Sequence, residues 1–374
     1  MLNFPEKLNK KLIRRKDGNS LRTLTVLKNK IDFSSNDYLG FSTNKSIQET
    51  TKRILSSENF INGSTGSRLV SGSHTLHNTV EGFLKGYHDA EAALLYNSGY
   101  DANLGLFSAI LQKGDTVIYD ELIHASIRDG IRMSSANSYK FKHNSLEDLE
   151  KKVARATGTI YIAIESVYSM DGDTALLHEM VDFSKKNNCY LIVDEAHSTG
   201  VFGEYGKGLL QELGLENQVF ARVHTFGKAM GCHGAVVLGS QELRDYLINF
   251  SRSFIYTTAA SLHSVATIEA SYLELKKTDA IEKLKSNILY FNNCIKEQYL
   301  TDKFIRSSSA IHSFILPGNA VVKTAALLLQ KKGFDIKPIL SPTVAIGEER
   351  LRICLHSYNT SLEIEQLITL LATL

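Results

Sequence analysis

Apolar positions along this chain follow two alternating rhythms. Short hydrophobic runs occupy residues 93–96, 116–119, 160–164, 190–193 and 219–223, the fourth rich in β-branched side chains. Between them lie stretches with apolar residues three and four apart, such as Leu76, Val80, Phe83 and Leu84, or Leu104, Phe107 and Leu111. The first rhythm predicts strands buried on both faces, the second amphipathic helices. Strands alternating with helices imply a mostly parallel α/β sheet. Residues 235–238 follow 223 too closely for a crossover helix, so this strand is expected to be antiparallel. Residues 138–143 alternate like a short strand, and residues 144–147 read as a capping-box-like opening for a helix carrying Leu146, Leu149 and Val153.

From about residue 265 the pattern changes. Ile281, Leu284, Ile288, Phe291 and Ile295 predict one long amphipathic helix. A strand near 312–316, a helix over 320–332 closed by Gly333, a strand over 351–355 and a final helix capped by Thr360 and Glu363 complete the chain. The expected organisation is a basic N-terminal helix and arm (1–44), a large domain (45–264) and a small α+β domain (265–374). We find no internal repeat and no low-complexity tract.

Polar residues gather after the predicted strands and seldom before them. Asp194 and His197 follow 190–193; Thr225 and Lys228 follow 219–223; His124 follows 116–119; Glu165 and Ser169 follow 160–164. Open α/β sheets bind ligands just beyond the carboxyl ends of their strands, so one shared site is the simplest cause. An acid and a lysine at two strand ends can serve opposite ends of one ring, the acid facing a pyridinium nitrogen and the amine condensing with an aldehyde. That arrangement suits pyridoxal phosphate (PLP). The turn Asn97-Ser98-Gly99-Tyr100 opens a helix, whose N-terminal N–H groups suit a phosphate, although Ser and Gly are also ordinary caps. Taken alone, the acid and lysine motifs read more readily as an N-cap and a surface lysine. Asn36, on a turn, suits a substrate carboxylate or a bond to its own backbone. His74 and His77 share a helix face, but no third ligand has matching spacing, so they read as structural.

Composition narrows the field. Of 374 residues, 42 are Lys or Arg and 40 Asp or Glu, a net charge of +2 that argues against a polyanion-binding surface. Asp194-Glu-Ala-His197 also spells the metal-binding box of nucleic-acid helicases, but the G-x-x-x-x-G-K-[ST] phosphate loop which that reading needs does not occur. The cysteines (Cys189, Cys232, Cys294, Cys354) are scattered, as expected of thiols in a reducing cytosol. The basic N-terminus reads as no secretory signal, and no run is long enough for a membrane span. A cytoplasmic, soluble protein is the expectation.

Several long motifs, in order along nearly the whole chain, carry a resemblance: DFSSNDYLG, NGSTGSRLVSGSHTLH, ESVYSMDGD, VDEAHSTGVFGEYGKG and TFGKAMG. The chain resembles the α-oxoamine synthases, PLP-dependent enzymes of fold type I. The resemblance implies a mostly parallel central sheet with helices on both faces, a small C-terminal domain and a homodimer with shared active sites. It implies Lys228 as the lysine that condenses with the cofactor and Asp194 as the partner of the pyridine nitrogen. His197 would bond the ring hydroxyl, His124 would stack on the ring, and Ser169 would lie near it. Gly99, Tyr100 and Thr225 would hold the phosphate, with Thr258 entering from a second subunit. Asn36 and Arg352 would bind the amino-acid carboxylate, and Arg22 and Thr343 the acyl substrate. The spellings DEAHSTGVFG and TFGKAMGCHGAV look most like the alanine-using members, which implies L-alanine and a pimeloyl thioester of coenzyme A or a carrier protein. Glycine- and serine-using members, such as aminoketobutyrate ligase and serine palmitoyltransferase, are the competing reading. Where the family often has Arg-Pro-Pro-Thr, this chain has Ser341-Pro342-Thr343, which removes a cation near the acyl substrate.

Overall fold

The computed structural model describes residues 4–24, 29–57 and 61–374; residues 1–3 and 25–28 of the expected N-terminal helix and arm, and 58–60 of the expected large domain, lie outside them. The chain divides into two compact units, one of residues 36–169 and 174–282, the other of 1–35, 170–173 and 283–374.

In the first of these, seven strands among the described residues form one sheet: β1 (Ala92–Tyr96), β2 (Thr116–Asp120), β3 (Asn137–Phe141), β4 (Ile160–Glu165), β5 (Tyr190–Asp194), β6 (Ala221–Thr225) and β7 (Ala235–Gly239). Their order is β1-β7-β6-β5-β4-β2-β3. Neighbours from β6 to β3 are parallel, while β7 runs antiparallel to both β6 and β1. The antiparallel return at 235 is therefore observed, and for the expected reason: β6 and β7 are joined by a turn, with Thr225 opposite Ala235. β6 begins at Ala221, two residues later than the apolar run suggested.

The parallel strands are continuous hydrophobic runs because both faces are covered. Ala163, Ile192, Ala221 and Val223 pack with Leu106 and Phe107 of the helix Gly99–Ile110. Their strand neighbours Ile162, Ile164, Leu191 and Val193 face the opposite layer with Met180 and Val181 of the helix Leu177–Lys186. Each such side chain contributes about 1.5–3 kcal/mol through burial. The helix Leu146–Val153 is capped by Ser145, whose side chain accepts the Asp148 N–H. The cap thus sits one residue later than the sequence suggested, because Asn144 adopts a left-handed φ of 52° and turns the chain.

The second unit holds the helix Glu6–Asp17, a two-residue parallel pairing of Ile31–Asp32 with Phe334–Asp335, and an antiparallel sheet in the order Lys337–Ile339, Arg350–Cys354, Ile311–Ile315. The helices Asn319–Lys331 and Ser361–Leu371 follow, the latter with the expected capping box between Thr360 and Glu363. Residues up to 35 group with this unit because Ile31–Asp32 needs a strand partner and Phe33 O accepts the Cys354 N–H at 2.8 Å. The division differs from limits drawn at 44 and 264. Helix Leu262–Leu275 buries Leu262, Val265 and Ile268 within the sheet-bearing unit, and the boundary falls inside the long helix Ala280–Glu297.

Candidate active site

Strand parity decides which side chains meet. Side chains alternate across a sheet, so residues two apart share a face. Carrying the pattern of Ala163, Ile192 and Val223 one step further sets Glu165, Asp194 and Thr225 on the face that also carries the helix Gly99–Ile110. All three lie at carboxyl ends, and all three line one cavity of about 200 Å³ together with Gly99, His124 and Lys228.

Asp194 is 4% exposed and held on both oxygens. Asn103 Nδ2 donates to Oδ2 at 2.7 Å and the Ala196 N–H donates to Oδ1 at 2.9 Å. Asn103 also donates to Ser126 Oγ at 3.0 Å, and Ser126 Oγ lies 2.8 Å from His124 Nδ1. His124 is the N-cap of the helix Ala125–Met133. Burial holds its imidazole below the ordinary histidine range, with Lys228 and Arg128 reinforcing the effect and Asp194 opposing it. A neutral ring suits a stacking face better than a proton donor.

Lys228 lies in the turn between β6 and β7. That turn is fixed by the Phe226 N–H bonding Gly234 O at 2.9 Å and by Gly231 at φ 62°, where a Cβ would stand 2.3 Å from Ser42 N. Lys228 Nζ is 2.8 Å from His197 Nε2, and His197 Nδ1 is 2.8 Å from the Tyr38 hydroxyl, which donates to Asn36 Oδ1 at 3.1 Å. Tyr38 has a single hydroxyl proton. With that proton given to Asn36, Nδ1–H of His197 donates to Tyr38 and Nε2 accepts from Lys228.

The helix Gly99–Ile110 starts at the cavity, with Ser98 Oγ accepting the Asp101 N–H. Its first N–H groups have no intrahelical partner. Gly99 has no room for a side chain: a Cβ would lie 2.3 Å from Thr225 Cγ2. Thr225 Oγ1 is buried with no hydrogen-bond partner. The Tyr100 side chain is exposed, its hydroxyl donates to Asp129 at 2.6 Å, and the residue lines the same cavity. Asn97 Nδ2 donates to Thr257 Oγ1 and to Thr258 O, at 3.1 and 2.8 Å. Ser169 is buried, with its N–H donating to Glu165 Oε2 at 3.2 Å.

The remaining expected residues belong to the other unit. Arg22 Nη2 donates to Thr343 Oγ1 at 3.2 Å, which joins the two residues expected at the acyl substrate. Arg352 is 9% exposed, with Nη1 2.9 Å from Cys354 Sγ. His77 is buried with Nε2 3.0 Å from Ala260 O, and His74 is an N-cap, as a structural reading requires. No cluster of three potential metal ligands occurs among the described residues, and no helix there is long and apolar enough to cross a membrane. All four cysteines are free.

Sequence reading gave no role to Tyr38, Asn103 or Ser126, and placed Glu165 at the shared rim without a specific one. Tyr38 lies two residues from Asn36 in the same motif, and Asn103 lies one turn into the helix that Gly99 opens, so both were within reach of spacing arguments.

The donor set fits PLP. A buried carboxylate, a lysine amine, a neutral imidazole and an orphaned hydroxyl beside a helix N-terminus converge on one cavity, and the glycine there leaves open the space that a side chain would fill.

Comparison with known proteins agrees. The family model described as aminotransferase class I and II matches residues 28–371. The 8-amino-7-oxononanoate synthase of Emericella nidulans is 41% identical over 98% of this chain and 95% of its own. Among solved structures, a serine palmitoyltransferase from S. paucimobilis, with bound PLP–myriocin aldimine, has 28% identity and a TM-score of 0.90, covering 98% and 96% of the two chains. The 8-amino-7-oxononanoate synthase of Francisella tularensis has 28% identity and a TM-score of 0.78, covering 92% and 97%. On sequence, fold and donor set together, the chain belongs to the aminotransferase class I and II family and, within it, to the PLP-dependent acyltransferases of the α-oxoamine synthase group.

Proposed function

We propose that this protein condenses L-alanine with a pimeloyl thioester, giving 8-amino-7-oxononanoate, CO₂ and a free thiol, as a cytoplasmic homodimer serving biotin biosynthesis. The observation that carries the reading is the convergence of Asp194, His124, Lys228 and the Gly99–Thr225 contact on one cavity. The name carried by the 41% identical relative supplies the product, and the family resemblance the substrates. Bound there, PLP would supply an electron-withdrawing ring, the chemistry that eases loss of the α-proton of alanine. Asp194 keeps a proton on the ring nitrogen, and Asn103 holds that carboxylate in place. Lys228 Nζ carries the α-proton, poised by His197. The free N–H groups of Gly99 and Tyr100 and the Thr225 hydroxyl receive the phosphate, with Thr258 of a second copy. Asn36 and Arg352 are assigned to the amino-acid carboxylate, and Arg22 and Thr343 to the acyl group, on the family resemblance.

The phosphate assignment has a steric test. Gly99→Ala overpacks against Thr225 at a cost of about 1–3 kcal/mol, and PLP affinity falls roughly ten- to a hundredfold. Adding Thr225→Ser deletes the obstructing methyl, keeps the hydroxyl and restores most of that affinity. Equal PLP binding by Gly99→Ala and the parent would place the phosphate elsewhere.

Substrate choice is read by kcat/KM for pimeloyl-, acetyl-, succinyl- and palmitoyl-CoA with alanine, then with glycine and serine in its place. Pimeloyl with alanine is expected to lead. Glycine should be a slow substrate, since one methyl discriminates by only about 1–3 kcal/mol. The likeness to serine palmitoyltransferase favours a second reading, a serine-using synthase, which a preference for serine and a long acyl chain would establish.

A further inference from the structure

Two carboxyl groups line the cavity, and their surroundings differ. Glu165 ends β4 and Asp194 ends β5, and the parallel register sets them side by side, 2% and 4% exposed. Asp194 has a donor on each oxygen, from Asn103 and from the Ala196 N–H. Glu165 accepts the Ser169 N–H on Oε2, but its Oε1 is buried without a hydrogen-bond partner. A buried carboxylate oxygen with no donor is costly, whereas a protonated carboxyl at that atom is itself a donor. Two carboxylates in one buried site also repel, so one of them keeps its proton. The donor pattern says which one.

We propose that Glu165 is a neutral acid in the wall of this cavity, its proton on Oε1, so that Asp194 alone is ionised and Glu165 offers a hydrogen-bond donor to the bound cofactor. The inference rests on PLP occupying the cavity. Burial, and then the charge of Asp194, push the Glu165 carboxyl up to about 8, with Lys228 and the backbone N–H groups of His124 and Ser169 opposing. The charged groups that act on it are Asp194 on β5 and Lys228 in the turn after β6, and the backbone N–H of His124, in the loop after β2, approaches it as a donor. Glu165 is a positioning residue: it keeps the cavity at one negative charge and adds a donor, and it takes no part in proton transfer. Above about pH 8 the cavity gains a second negative charge and loses the donor, so PLP binding weakens.

E165Q keeps a neutral donor of the same shape, and E165M keeps the volume without the donor. In infrared difference spectra at pH 7, the parent should show the carbonyl stretch of a protonated acid that both variants lack and that fades above about pH 8. PLP affinity should agree within about threefold between the parent and E165Q, and fall up to about tenfold in E165M, the worth of one hydrogen bond. E165Q should also lack the parent's decline above pH 8. No acid band in the parent, or a loss in E165Q equal to that in E165M, or full affinity in E165M, would each overturn the proposal. If the parent binds no PLP, the infrared band still decides the protonation state, and the failure belongs to the proposed function alone.

Discussion

Lys228→Ala abolishes turnover, by more than about 10⁴-fold, the upper range for one general base. The parent protein should be yellow with PLP, and borohydride should fix that colour onto Lys228. The variant should release PLP on dialysis and take up no borohydride label. The geometry gives the reason. Lys228 sits in a turn tied at both ends, with Gly231 packed so closely on Ser42 that the loop has little freedom. Its amine lies 2.8 Å from His197 Nε2, and the Tyr38–Asn36 chain sets that nitrogen as an acceptor. That contact orients the amine inside the cavity that Asp194 and His124 also line. The same variant tests subunit sharing. Mixed with an inactive Thr258→Val protein, it should recover part of the activity, because a heterodimer then contains one intact site. Sedimentation showing an active monomer would remove the shared-site proposal, and turnover by Lys228→Ala at the parent rate would remove the lysine assignment.

How much of this was legible in the sequence depended on the range of the interaction. The seven-stranded sheet and its helices follow from alternation and periodicity, which are local, and the antiparallel β7 follows from a short connection. Which strand ends share a face was not readable, since both faces of each strand are apolar and only the observed register sets Glu165 beside Asp194. Nor was strand order, because it depends on which apolar faces pair across the sheet. The grouping of residues 1–35 with the C-terminal part depends on the pairing of Ile31–Asp32 with Phe334–Asp335, and nothing in either short segment names its partner. The same limit explains the residues that sequence reading left without a role. Asn103 matters because its amide meets a carboxylate 91 positions away in the chain, and Tyr38 because its hydroxyl meets His197. Glu165 shows its character only when one of its oxygens is seen to have no donor.

Asp194→Asn should slow exchange of the α-proton of alanine, followed by NMR in D₂O, by roughly 10²–10⁴-fold, matching the about 3–5 kcal/mol lost when one partner of a buried pair is removed. The loss has two parts. The amide carries no charge to hold the ring-nitrogen proton, so the ring withdraws electrons less strongly. It also offers one oxygen where the carboxylate has two, each of which accepts a bond, from Asn103 Nδ2 at 2.7 Å and from the Ala196 N–H at 2.9 Å. One of those donors would then face an NH₂ group, at a stability cost of about 1–3 kcal/mol. Asn103→Leu should cost less than Asp194→Asn in exchange, because it removes one donor and leaves the charge. The pH profile separates charge from shape. The Asp194 charge raises the Glu165 carboxyl, so neutralising Asp194 lets Glu165 ionise at lower pH than in the parent. A negative charge then returns to the cavity as pH rises, and the Asp194→Asn defect should be larger at pH 6 than at pH 9. With Glu165→Gln added, that recovery should disappear. Exchange in Asp194→Asn at the parent rate would mean that another group faces the ring nitrogen, and a defect independent of pH in both variants would mean that Glu165 does not sense the charge beside it.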